Sequence, residues 1–132
     1  MNADKEKYFV KKFIIPGKQE RILFELTSKK KRQQCIVNIG QFFNDKYLVY
    51  ENKKYTEEEL STIVSKFFNI EEECYVIGDS LMDGKFFKFK EALHEALQDC
   101  GINCLLCGTN VVLIKEEASI YAPNVCIFVK NN

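Results

Sequence analysis

Apolar residues recur along this chain in two rhythms, and the rhythms divide it into elements. Leu60, Ile63, Val64, Phe67 and Phe68 follow the i, i+3, i+4, i+7, i+8 spacing that places side chains on one helical face. Thr56 and Glu59 stand just ahead of that stripe at capping-box spacing, with Tyr55 and Leu60 placed as a hydrophobic staple. Phe89, Leu93, Ala96 and Leu97 predict a second amphipathic helix over 88–99, stopped by Gly101. Residues 18–43 repeat the helical spacing twice, through Ile22, Leu23 and Leu26 and then Cys35, Ile36, Ile39, Phe42 and Phe43. That stretch predicts helix in one or two pieces. The opening segment, with Phe9, Val10, Phe13, Ile14 and Ile15 before the Pro16-Gly17 break, fits a short helix or a strand equally.

Shorter runs of strand formers separate these helices. They lie at 47–50, 74–78, 103–107, 111–116 and 125–129, the third and fourth joined by Gly108-Thr109-Asn110, a hairpin signal. The strand at 74–78, the helix at 88–99 and the strand at 103–107 predict a βαβ crossover. The expected fold is α+β (or α/β), one globular domain over 1–132. It has a mixed sheet of about four to five strands, helices packed against it, one βαβ unit and a C-terminal hairpin.

Composition narrows the class. The 132 residues are 46% hydrophobic and 29% charged, which suits a packed soluble domain and not a disordered chain. Nineteen Lys and Arg balance nineteen Asp and Glu, so the basic excess of most nucleic-acid-binding domains is missing. No apolar run reaches about eighteen residues, and the first ten residues hold no secretion signal. The expectations are no membrane association, nucleic acid an unlikely partner, and a cytoplasmic location. The six cysteines, several inside apolar runs, then read as reduced, buried thiols.

Four patterns carry candidate chemistry. Cys100, Cys104 and Cys107 form C-x3-C-x2-C, a spacing that resembles the iron–sulfur motif of radical S-adenosylmethionine enzymes over these eight residues. Those enzymes have much larger barrel domains, and strand alternation points Cys104 and Cys107 to opposite faces. Zinc would need Cys126 or His94 as a fourth ligand. The expectation is structural thiols, no metal and no cofactor. His94, the only histidine, lies off the apolar stripe of its helix and reads as a surface residue, since no nucleophile or second histidine accompanies it.

Lys29, Lys30, Lys31 and Arg32 form the strongest basic cluster, suited to phosphates or RNA but more economically a solvated stretch. Asp79, Ser80, Asp83 and Gly84 follow a buried strand, where loops of open α/β sheets bind ligands; turn chemistry explains the same residues. No Walker loop, dinucleotide fingerprint, HExxH or GxSxG occurs. With no catalytic constellation, the leading expectation is a small non-catalytic module that binds another protein, in the manner of an inhibitor or immunity protein that neutralises a toxin. Tyr55, Glu57, Glu58, Glu59, Glu71, Glu72 and Glu73 are its expected contact surface. The alternatives are a ligand-binding or hydrolytic domain using the 79–84 loop, and an RNA-associated protein using residues 29–32.

Overall fold

A computed structural model of the chain describes residues 1–78, 80–98, 103–116 and 124–131. Its elements run α1 (Ala3–Phe13), α2 (Gln19–Thr27), α3 (Arg32–Asn38), β1 (Leu48–Asn52), α4 (Glu57–Ser65), β2 (Glu73–Gly78), β3 (Phe86–Lys88), α5 (Phe89–Gln98), β4 (Cys104–Cys107), β5 (Val111–Lys115) and β6 (Val125–Val129), with short 3₁₀ turns between some of them. Among the described residues six strands form one sheet in the order β1-β6-β5-β4-β2-β3. The α+β class holds.

Every neighbouring pair is antiparallel, which corrects the expected mixed sheet. The expected crossover from 74–78 to 103–107 is corrected with it, because β2 and β4 pair antiparallel, Val76 opposite Leu106. The cause is a strand absent from the sequence reading. Residues 79–84 turn the chain back into β3, which pairs with β2 at Cys74–Phe87 before α5 begins. Gly84, at φ 76°, supplies the left-handed residue of that turn. Since β3 and β4 both oppose β2, they are parallel to each other, and α5 connects them across β2. The hairpin at 108–110 forms as expected, closed by the Gly108 N–H donating to the Val111 carbonyl at 2.8 Å.

Alternation along the strands feeds two cores, one on each sheet face. Tyr75, Ile77, Leu105, Val112, Ile114 and Phe128 meet Phe9, Phe13, Ile22, Leu26, Ile36 and Phe43 from the α1–α3 side. Val76, Leu106, Leu113, Val125 and Ile127 meet Leu60, Val64, Phe89, Leu93 and Ala96 from α4 and α5. Helices thus cover both faces, which is why β2, β4, β5 and β6 read as unbroken apolar runs. Among the described residues no helix is long and apolar enough to cross a membrane.

The opening segment resolves as helix: Asn2 caps it, accepting from the Lys5 N–H, and Phe9, Val10 and Phe13 share its buried stripe. At α4 the Thr56 hydroxyl accepts from the Glu59 N–H at 3.0 Å, half of the expected capping box. Glu59 turns its carboxylate to the Tyr50 hydroxyl instead, at 2.7 Å.

Candidate functional site

The basic run and the 79–84 loop, far apart in sequence, meet in the structure. The guanidinium of Arg32 donates from Nε and Nη2 to both Asp83 oxygens at 3.0 and 2.8 Å, and from Nη1 and Nη2 to both Glu6 oxygens at 2.7 and 2.8 Å. Its fifth N–H goes to the Leu26 carbonyl at 2.9 Å, so all five donors of the fork are engaged. Glu6 also accepts from the buried Tyr75 hydroxyl at 2.6 Å, and Asp83 from the Gly78 N–H at 3.1 Å.

Burial pulls the Arg32 guanidinium down, but the hydrogen bonds and charges of Glu6 and Asp83 outweigh it and hold it above its usual value. Burial and the Glu6 carboxylate together push the Tyr75 phenol up. The cluster joins α1, α2, α3, β2 and the β2–β3 turn, and its polar groups answer one another. Chemically it is a clamp. It leaves Arg32 no free donor for a phosphate, while Lys29, Lys30 and Lys31 stay exposed and Lys31 sits 5.2 Å above the Phe24 ring. A cavity of about 240 Å³ lies beside the clamp, lined by Lys29, Arg32, Gly78, Ser80 and Asp83 among others. Asp79 lies outside the described residues.

The cysteines separate. Cys104 belongs to the α4–α5 core and Cys107 to the α1–α3 core, while Cys100 lies outside the described residues. Burial pushes the Cys104 thiol up to about 11 and the Cys74 thiol up to about 12, which makes both poor nucleophiles. Cys126, in the α1–α3 core, lies far from His94 on the opposite face. His94 is a surface residue, its Nδ1 2.9 Å from Glu57 Oε1.

The expected acidic surface is divided by the sheet. Glu57 and Glu71 lie on the α4–α5 side, where Glu71 binds Lys90 at 2.7 Å; that hydrogen bond holds the Glu71 carboxyl below its usual range. Glu73 alternates with Cys74 and therefore faces the α1–α3 side. Glu58 and Glu72 are exposed, and Tyr55 is half-buried against the α4–α5 core.

What sequence reasoning missed is the sheet edge between those acidic runs. Two cavities flank β3, one on each face. The first, about 490 Å³, is lined by Asp4, Lys5, Tyr8, Glu73, Tyr75 and Phe86 with the β4–β5 turn. The second, about 650 Å³, has Met82 and Phe87 as its apolar floor and Glu57, Glu91 and Glu95 around it, with Lys90 and His94. Consecutive residues of one strand, Phe86 and Phe87, therefore serve opposite cavities. Among the described residues no ion pair reaches Asp4, Glu73, Glu91 or Glu95.

A signal for this was present in the order of charges. Residues 1–54 hold thirteen Lys and Arg against six Asp and Glu, and residues 55–132 hold the reverse, six against thirteen. The balanced total hides an uneven distribution of charge along the chain. An aromatic floor under carboxylates with no ionic partner suits the aliphatic stem and charged head of a lysine or arginine. No protein-family model matches the chain, and comparison with curated proteins and with solved structures returns no match.

Proposed function

We propose that this chain is a non-catalytic protein-binding module of the cytoplasm whose partner presents a basic surface, an arrangement that suits an inhibitor or immunity protein acting on a cationic toxin. The observation that carries the reading is the groove of about 650 Å³ beside α5, where Glu57, Glu91 and Glu95 surround Met82 and Phe87. Interfaces gain affinity from a desolvated apolar centre and gain rate and selectivity from complementary charge around it. This groove offers both. The five described cysteines are all buried and unbridged, which fits a reducing compartment. Asp83 and Arg32, the central members of the two alternative sites, are committed to each other, which favours binding elsewhere.

The test is affinity capture from the host's lysate after nuclease treatment, with the native chain beside a Glu57→Lys/Glu91→Lys/Glu95→Lys variant. A stoichiometric basic protein retained by the native chain and lost by the variant supports the reading. Equal retention by both, or recovery of RNA in place of a protein, overturns it.

A further inference from the structure

We infer that the partner engages by adding a strand to the open edge of β3, with two consecutive basic side chains entering the two flanking cavities. The inference rests on the reading of a basic protein partner and specifies how that partner is held. Three observations carry it.

The first is the hydrogen-bond phase of the edge. Phe89 N–H donates to the Glu72 carbonyl and Val76 N–H to the Lys85 carbonyl, and Cys74 stands opposite Phe87. In an antiparallel ladder bonded pairs alternate, so the inward-bonded residues are 85, 87 and 89. The main-chain N–H and C=O of Phe86 and the N–H of Lys88 therefore point away from β2, into the position of a seventh strand, while the Lys88 carbonyl opens the hydrogen-bond ladder of α5. Among the described residues β3 is the last strand of the sheet on that side.

The second is the placement of the cavities. A residue added opposite Phe86 projects to the α1–α3 face, into the cavity beside Tyr8, Tyr75 and Glu73. Its sequence neighbour, opposite Phe87, projects to the α4–α5 face, into the groove with Met82, Glu91 and Glu95. Period-two alternation thus sends adjacent side chains into separate sites, the usual division of labour in strand addition.

The third is charge. Two carboxylates face one ammonium in the first cavity. In the second, three face one, and that one, Lys90, is held by Glu71. Neighbouring basic residues in an extended segment match both.

The test uses the peptide Ac-Thr-Val-Lys-Arg-Val-Thr-amide, titrated into the full chain and followed by amide NMR. The expected dissociation constant is on the order of 0.1–1 mM, because a short flexible segment must be ordered. The expected shifts centre on the Phe86 and Lys88 amides and on both phenylalanine rings. Two analogues, N-methylated at the peptide's lysine or at its arginine, keep both charges. Only alternate N–H groups face β3, so one analogue loses at least tenfold and the other little. On the protein, Lys88→Pro removes an outward N–H while sparing the inward pair, a substitution that edge strands tolerate.

Removing a lysine favours a basic ligand electrostatically, so a tenfold or greater loss with Lys88→Pro and none with Lys88→Gln identifies main-chain pairing. Peptide binding that ignores Lys88→Pro and both analogues overturns strand addition and leaves a basic partner held by side chains alone. No binding at 10 mM peptide overturns strand addition too, and the basic-partner reading is then decided separately by the lysate capture. Dimerisation of the native chain in sedimentation, lost in Lys88→Pro, overturns the inference in favour of a second copy.

Discussion

The Arg32 clamp and the β3 edge are built from the same residue types and do opposite things. In the clamp, Glu6 and Asp83 face one guanidinium whose five N–H groups are all used, and Tyr75 closes the remaining side. At the edge, Asp4, Glu73, Glu91 and Glu95 carry charge with no ion pair among the described residues, beside half-exposed aromatic rings and two outward-facing residues of main chain. A charge already answered inside the chain holds the fold, and a charge left unanswered beside an apolar floor is available to a partner. Residue type alone does not separate the two cases.

The largest expected effect falls on the clamp. Arg32→Met leaves two nearly buried carboxylates without a counter-charge, and the loss of a buried partner of this kind costs about 3–5 kcal/mol. Urea unfolding should show the midpoint falling with the slope unchanged; a loss under about 1 kcal/mol would break the distinction between the two regions. Tyr75→Phe removes one donor to Glu6 and costs about 1–3 kcal/mol by the same measurement.

The edge should behave otherwise. Glu91→Lys and Glu95→Lys each change stability by about 0.5 kcal/mol or less, while removing partner capture. Destabilisation on the scale of Arg32→Met would make the edge structural. The smallest effect at neutral pH concerns Tyr50, whose phenol is pushed up to about 12 by burial and by its bond to Glu59. A phenol with a raised folded-state pKa contributes stability that is fully present below its unfolded value of about 10 and is lost as pH rises from there through about 12. Thermal melts across that window should fall, and Tyr50→Phe should flatten the fall, since it removes the titrating group.

Much of the secondary structure was legible in the chain. The Leu60–Phe68 stripe, the Thr56 cap and the 74–78, 103–107, 111–116 and 125–129 runs all correspond to observed elements, because each states its own period over enough residues. β3 was not legible. Three residues cannot show a period, and Phe86 and Phe87 run directly into the apolar face of α5. Missing it reversed the inferred direction of β4 relative to β2 and produced the expected crossover. The two acidic runs were visible as charge, yet whether they share a face depends on sheet alternation, which parts Glu73 from Glu57.

By itself the sequence determined that the 18–43 stretch and the α4 and α5 segments are helical, which buried runs are long strands, and how unevenly charge is distributed between residues 1–54 and 55–132, while the opening segment stayed open between helix and strand. These follow from local spacing and composition, which need no knowledge of distant contacts. Only the tertiary structure decided that Arg32 meets Glu6 and Asp83, that neighbouring strands of the sheet run antiparallel, and that β3 ends the sheet among the described residues, with a cavity on each face. The physical reason is that a charge acquires its role from what lies within a few ångströms of it. For Arg32 those neighbours stand 26 and 51 residues away along the chain.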